Sequence, residues 1–594
     1  MFGYGEVGRT PAATYTETAL PIPNVPDYEL ANEVVSSTIQ QRADLFKIVT
    51  PVKSRALRLV TSVHPNKALV ESLCAGFESG FWPYADTLST DSEEHKRTGR
   101  LSDDVLEFLR TQRDAEIQVE RYSEAFPNLL PGMTTQPIFA VPKKGTSKLR
   151  LINDHSAGNK SLNSLIPMEG GFMQLDTLQD LGTLIRNEMR RVGGKTPAWI
   201  FKSDASQAYR RLPVHPHWQV RQVAEIDGSF HVDRCAVFGN RASGRIWCLF
   251  LGVVLWVAIH AFAITGLLAY VDDTFSYDYD PKLYLYEGPD YSKWVPRKQR
   301  QLLRLWDLIG IKHEERKQEH GRQLTIIGFL VDLDVMQITM EADKRSELAA
   351  ALRAFTTPTR QQHSLRDWLR MLGWANWALN VFPLLRPALN SSWEKTKGKS
   401  QMNAPIWLNA SVVTDLRWFA NWVEELNGVH ILGEETWSAE DADLEIWCDA
   451  SNYGIGFASI APNVAYFFQR EDDTREAQSH IYFFEELCVL SAIQWAAQLP
   501  QRPQRLAIHT DSANTHAAFN SLRTYGRYNL LLMQAIDTLL SARIQLRVFH
   551  IRGENNVVAD ALSRGQFQLA RQLQPGVSIR LFVPPRDALQ ALRK

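Results

Sequence analysis

The sequence predicts a multidomain α/β (α+β) chain, on three observations. Its 594 residues are several times the roughly 100–200 expected of one domain. Hydrophobic residues at 45% and charged residues at 22% match soluble globular chains and exclude a disordered, collagen-like or disulfide-scaffold protein. Short apolar runs such as "QPIFAVPK" and "KLRLIND" interleave with helical periodicity over 131–340, and a second such unit opens at Leu444, the mark of α/β layering.

Taken in order, residues 1–60 are rich in Pro, Thr and Glu with weak periodicity, and are expected to form a loose N-terminal arm. Over 61–130, "KALVESLCAGFESGF" and "LSDDVLEFLRTQRDAEIQVERY" place apolar residues three and four apart, as in a helix. A Pro/Gly break, "FPNLLPGM", precedes the interleaved region 131–340. Residues 341–405 are helical, carry Trp368, Trp374, Trp377 and Trp393, and end in Lys395, Lys397 and Lys399; 406–440 is a connection. Over 441–567, "LEIWCDAS", "GIGFASI" and "AYFFQ" read as three strands, followed by a helix around Glu485, a strand "RLAIHTD", helical stretches, a strand "QLRVFHI" and a helix after Asn556; 568–594 is a tail.

Lys+Arg (65) and Asp+Glu (66) cancel to a net charge of −1, so bulk charge does not point to nucleic acid, although a basic groove can hide in a neutral total. The five cysteines, Cys74, Cys235, Cys248, Cys448 and Cys488, form no CxxC and no metal-ligand spacing, which argues against structural zinc. With no secretory signal visible, the expected location is intracellular, in cytoplasm or nucleus. Ile246 to Val271 lacks Asp, Glu, Lys and Arg over a membrane-spanning length. His260, Thr265 and Gly266 interrupt it and it runs into Asp272 and Asp273; a buried helix followed by a strand is the better reading, a membrane protein the alternative.

Adjacent aspartates after an apolar strand repel each other and call for a cation. In "LLAYVDDTFSYD", Asp272 and Asp273 occupy such a turn, and in "AWIFKSDASQAYRRLPVHP" Asp204 follows another apolar run, with Tyr209 five residues on. A lone "DD" is compatible with a plain charged turn. If the two strands are neighbours, Asp204 and the Asp272–Asp273 pair can bind two Mg²⁺ for nucleotidyl transfer. "YVDD" with the upstream D-x-x-x-x-Y resembles motifs C and A of reverse transcriptases. Further resemblances follow in order: "KKGTSKLRLIND" to the fingers strand, "FGNRASGRIW" to motif B, Lys317 to motif D, and Gly328–Phe329 to the primer grip.

That resemblance implies that Lys143, Lys144 and Arg150 hold the incoming triphosphate. It also implies that Tyr209 excludes a 2′-hydroxyl, that Phe238 and Gly239 contact the nucleotide, with Gly239 allowing close backbone approach, and that Lys317 serves substrate. Gly244 departs from the more usual proline of gypsy-like elements.

Four acidic residues, Asp449, Glu485, Asp511 and Asp560, recur 36, 26 and 49 residues apart on strand, helix, strand and helix. The set resembles the D-E-D-D of RNase H, with "ADALSR" after H-x-x-G-x-x-N close to the gypsy-like form. His550 is then similar to the histidine near the departing product; a plain strand-end residue is the alternative. Glu485 is preferred over Glu486 because E-x-L-C-V-x-x-A begins there, which leaves Glu486 a solvated neighbour.

Together the resemblances imply a right-hand palm/fingers/thumb polymerase followed by an RNase H-like α/β domain: fingers and palm over 131–340, thumb over 341–405. They imply an RNA-directed DNA polymerase and ribonuclease H with two Mg²⁺ per site, Mn²⁺ as a substitute, acting on RNA template, DNA primer, RNA–DNA hybrid and dNTPs. "HPNKALVESLCAGFESGF", "LGWANWALNVFPLLRPALN" and "FVPPRDAL" resemble fungal DIRS-type retroelements. No protease, zinc-knuckle or integrase motif is present, so an integrase or recombinase is expected from another chain. A degenerate or domesticated copy that only binds RNA–DNA is the alternative.

Overall fold

A computed structural model of the chain describes residues 10–87, 102–142, 149–158, 161–167, 174–358, 361–431, 437–470, 481–524, 526 and 528–585. The chain is mixed α/β and divides into two units, Met1–Gln337 and Ile338–Lys594.

In the first unit, α1 (Pro11–Tyr15) packs on α2 (Ser243–His260). A hairpin joins β1 (Ile138–Pro142) and β2 (Leu149–Asn153), with Val141 opposite Arg150. The central sheet contains β3 (Trp199–Ala205), β4 (Leu268–Tyr270), β5 (Asp273–Asp278) and β6 (His313–Gly321) in the order β6-β3-β5-β4. Every neighbouring pair in it is antiparallel. Helix α2 is long and apolar enough to cross a membrane, yet 72% of it is buried inside the protein. It is apolar around most of its circumference because most of it is enclosed by the protein. After β6, Gln323–Ile326 and Phe329–Asp332 pair as a hairpin whose turn, Ile327–Gly328, has φ of 50° and 82°. Two successive positive φ values are what a two-residue hairpin needs, and glycine takes the second without strain.

The loose arm expected over 1–60 is corrected from residue 10 onward. Ala12, Ala13, Ala19, Ile22, Val52 and Leu57 are buried in the main core of the unit. Ala12 N–H donates to Asp176 Oδ1 (2.9 Å), while Asp176 Oδ2 accepts from Ala269 N–H on β4 (2.7 Å). A Cβ on Gly252 would lie 2.8 Å from Thr16 Cγ2, so the glycine is what lets α1 approach α2. Helices of four to nine residues are too short to register as periodicity.

The second unit opens with helices that include Leu365–Ala378, α3 (Asn390–Thr396) and α4 (Ala410–Glu425). A six-stranded sheet follows, built from β7 (Leu444–Ala450), β8 (Gly454–Ser459), β9 (Val464–Gln469), β10 (Arg505–Thr510), β11 (Gln545–His550) and β12 (Ser578–Leu581), ordered β11-β10-β7-β8-β9-β12. Strands β7, β10 and β11 run parallel; β8 is antiparallel to both β7 and β9. Helices α5 (Ile481–Ala497), α6 (Tyr528–Ala542) and α7 (Val557–Ser563) complete this α/β layer. The expected tail, 568–594, is corrected as well. Its residues up to Leu581 form most of a helix (Phe567–Leu573) and all of β12, which pairs parallel to β9. Of the tryptophans, Trp368 is fully buried. Trp418 and Trp422 both donate their indole N–H to Asp537 on α6, at 2.7 and 2.6 Å, tying α4 to the sheet-bearing layer.

Asp176 leads to a test of the docked N-terminal segment. Asp176→Ala leaves two buried N–H groups without an acceptor, at ~1–3 kcal/mol each. Urea unfolding should show that loss, and limited proteolysis should cut first near residues 10–20; unchanged stability and cleavage would reject the clip.

Candidate active sites

The first site lies where β3 and β5 end together. Asp204 on β3 is the register partner of Asp273 on β5, and Asp273 also faces Tyr270 across the β4–β5 turn. Register partners carry side chains on one face, about 4.5–5.5 Å apart at Cβ. The turn itself is Val271–Asp272, with Val271 at φ 58°, a left-handed conformation that a β-branched residue adopts only under constraint. Trp247 on α2 supplies part of that constraint, donating its indole N–H to the Val271 carbonyl at 3.1 Å.

Burial first, then the charges of Asp204 and Asp272, push the Asp273 carboxyl up to about 6. Asp272 is raised by burial and by Asp204. Opposite Asp204, β6 is irregular: His313 pairs with Ala205 and Gln318 with Ser203, so Glu314 to Lys317 bulge past a single residue. The bulge brings Lys317 Nζ to 2.9 Å from Asp204 Oδ2. Gln318, which sequence reasoning missed, donates to the carbonyls of Asp204 (3.4 Å) and Glu314 (3.1 Å). Asp204 Oδ1 is buried without a hydrogen-bond partner among the described residues.

Tyr209 packs against Phe238 with ring centroids 4.7 Å apart. Its phenol is pushed up to about 12 by burial, with Cys248 and Asp272 adding to it. Phe238 is 68% exposed, so this aromatic pair offers an open face beside the carboxylates. A Cβ on Gly239 would lie 1.7 Å from the Asn153 carbonyl oxygen, so the glycine lets this loop approach the end of β2. Asn163, also missed, holds the loop by donating to Gly239 O (2.7 Å) and accepting from Arg241 N–H (2.8 Å). Arg150 stands exposed on β2, with no hydrogen bond or ion pair to the aspartates among the described residues. Lys143 and Lys144 lie outside the described residues.

The second site gathers three carboxylates: Asp449 on β7, Glu485 in α5 and Asp511 directly after β10. One oxygen from each lies within 4.8 Å of the others. Burial first, then Asp449 and Asp511, push Glu485 up to about 9, and its Oε2 has no partner among the described residues. Asp449 rises to about 7 through burial, Asp511 and Asp560, although Ser563 Oγ donates to its Oδ2. Ser563 is the serine of "ADALSR", a motif that does not by itself reveal this contact. Asp560 on α7 is outside the three-oxygen cluster and pairs with Arg564 at 2.7 Å, while its charge still reaches Asp449. His550, exposed at the end of β11, has Nε2 3.1 Å from the Asp511 carbonyl oxygen. Asn556 donates to Cys448 O at 3.0 Å, fastening the loop before α7 to the Asp449 strand.

Glu486 corrects the expectation of a solvated neighbour. It is fully buried rather than solvated, with Tyr482 Oη donating to its Oε1, and burial raises its carboxyl to about 8. Neighbouring residues on a helix point about 100° apart, and Glu485 is the one that faces the cluster.

Both donor sets fit divalent cations. Each is all-oxygen, as Mg²⁺ and Mn²⁺ prefer, and each has an orphaned buried oxygen and carboxyls raised by burial and then by one another's charge.

No family model matches the sequence, and no curated protein is significantly similar to it. Among solved structures the chain is similar to a foamy viral protease-reverse transcriptase in complex with RNA/DNA hybrid, at 13% identity and a TM-score of 0.43, over 90% of this chain and 64% of that one. It is also similar to a foamy viral protease-reverse transcriptase in complex with dsDNA, at 13% identity and 0.42, over 91% and 96%. The chain thus spans slightly under two thirds of the hybrid-bound viral chain.

The raised carboxyls set a pH dependence. A carboxyl whose folded pKa lies above its unfolded value binds more protons folded than unfolded, so stability falls as pH rises between the two values. For Glu485 that window runs from the ordinary value of 4.5 to about 9. Without divalent metal, the melting temperature should fall from pH 5 to 9; Mg²⁺ or Mn²⁺ should restore it most at the alkaline end, and Glu485→Gln should flatten the metal-free profile. Each kcal/mol recovered corresponds to about 2–4 °C. A profile identical in wild type and variant would reject the clustering.

Proposed function

We propose that the chain is an RNA-directed DNA polymerase with RNase H activity, copying retroelement RNA into DNA and hydrolysing the RNA strand of the hybrid. The observation that carries this reading is the coexistence of two carboxylate clusters on two separate sheets. One sits at a strained hairpin turn beside an aromatic pair, and the other is a strand-helix-strand triad. Two Mg²⁺ at each cluster, with Mn²⁺ as a substitute, would activate the attacking oxygen and neutralise charge on the leaving group.

The chain's own residues have these roles in the polymerase. Asp204, Asp272 and Asp273 hold the metals, and Lys317, restrained by Asp204, keeps a positive charge beside them. Tyr209 backed by Phe238 presents a ring edge that a deoxyribose clears and a 2′-hydroxyl meets. Arg150, Lys143 and Lys144 hold the triphosphate, Arg150 through its bidentate fork. In the ribonuclease, Asp449, Glu485 and Asp511 hold the metals, Asp560 joins them on releasing Arg564, and His550 shuttles a proton or product beside Asp511. The partners are RNA template, DNA primer, RNA–DNA hybrid and dNTPs, the setting is intracellular without membrane insertion, and integration is served by another chain. The DIRS-type and gypsy-like motifs favour a retrotransposon source.

Asp272→Asn should lower primer extension on poly(rA)–oligo(dT) by on the order of 10²–10³-fold or more, the scale of losing one electrostatic anchor at a reacting centre, while leaving hybrid cleavage intact. Asp511→Asn should do the reverse. Equal extension by Asp272→Asn and wild type would falsify the polymerase assignment. In a separate measurement, Tyr209→Ala should incorporate ribonucleotides far more readily than wild type while retaining deoxynucleotide use; unchanged discrimination would remove Tyr209 as the gate.

A further inference from the structure

Within the second unit, a cleft of about 800 Å³ opens between the segment Arg386–Lys397 and the residues that follow helix Ala513–Ser521. Arg386, Lys397 and Arg523 line it, with Glu394 as the one acidic residue among them. None of the three cations forms a hydrogen bond or ion pair among the described residues. Arg386 and Arg523 are close enough that burial and then the Arg523 charge hold the Arg386 guanidinium below its usual pKa. Two guanidiniums lining one cleft, neither paired with a carboxylate among the described residues, make a site suited to an anion. Trp393 lines the same cleft and is 45% exposed, unlike Trp368 in the core.

The walls are fixed in place. Asn390 donates to Asn529 Oδ1 at 2.8 Å and to Leu522 O at 3.5 Å. Asn529 returns a hydrogen bond to Pro387 O at 3.1 Å. The cleft therefore keeps its shape without a ligand, which lowers the cost of binding one.

We propose that this cleft seats a single strand of nucleic acid, its phosphates on Arg386, Arg523 and Lys397 and one unstacked base on Trp393. The inference rests on the proposed function and adds a strand-binding site built from residues that belong to neither carboxylate cluster. Three cations spread over the two walls match successive phosphates better than one. An exposed indole serves a base only when that base is free of a duplex, and such stacking tolerates any sequence.

The test uses the full chain with its polymerase site saturated by an unlabelled hairpin primer–template. A fluorescent ten-nucleotide oligo(dT) is titrated by anisotropy, and a 4-thiothymidine version is photo-crosslinked and mapped. Expected are residual binding on the saturated protein and a crosslink in the Trp393 peptide. The Arg386→Gln/Arg523→Gln variant should bind roughly tenfold more weakly, with a salt slope shallower by about 1.4, at about 0.7 per phosphate contact on single strands. Equal affinity and slope in the double variant would overturn the proposal, as would a mononucleotide binding as tightly as the ten-mer. Should the double variant unfold, Trp393→Leu, at an exposed position, decides instead: weaker binding of the ten-mer supports the proposal and unchanged binding overturns it. Primer extension is measured in parallel. A wild-type chain that binds and crosslinks the strand but extends nothing would overturn the polymerase reading alone.

Discussion

Both candidate sites depend on carboxylates held close together against their own repulsion. Asp204 and Asp273 are register partners, and the oxygens of Asp449, Glu485 and Asp511 converge within 4.8 Å. No local propensity favours such placement, so the surrounding structure must impose it. In the first unit the largely apolar α2 lies against the sheet, with Trp247 anchoring the Val271 carbonyl and Gln318 the Asp204 carbonyl. In the second, α5 is buried along nearly its whole length, with Ser563 and Asn556 binding α7 and its preceding loop to the Asp449 strand.

The two clusters are compensated to different degrees. Lys202 and Lys317 both pull Asp273 down against the burial that raises it, and Lys317 pairs directly with Asp204. In the triad, Arg564 lowers Asp449 only weakly because it is engaged by Asp560. Asp449 and Glu485 accordingly reach about 7 and about 9, against about 6 for Asp273. Asp560, the fourth acidic residue beside the triad, is occupied by Arg564.

Much of this was legible in the residues because strand ends, turn aspartates and helix starts are local features. "YVDD" and "WCDAS" announced their carboxylates, and the charge-free run Ile246–Val271 announced a helix that is buried in the fold. Other features were hidden for identifiable reasons. Glu485 and Glu486 differ only in azimuth on a helix apolar on every side, so hydrophobic pattern gave no phase by which to separate them. Gly239 is explained by the Asn153 carbonyl, far away in sequence. The N-terminal helices and β12 are too short for periodicity, and their docking depends on Asp176 and on pairing with β9, which no local window includes.

Lys317 shows most clearly why register matters more than spacing. Its distance in sequence from Asp204 says nothing of contact; what brings them together is the bulge in β6, where four residues pass opposite one. In a regular strand each step of one residue turns a side chain to the other face of the sheet, and only some positions would place an ammonium over the carboxylates. A bulge releases the chain from that alternation and re-aims a side chain. Glu314, at the start of the bulge, accepts from Ser206 Oγ at 2.8 Å, and Gln318, at its end, bonds to both the Glu314 and Asp204 carbonyls. The bulge is therefore closed by its own hydrogen bonds, and the position of Lys317 is a property of the sheet before any substrate arrives.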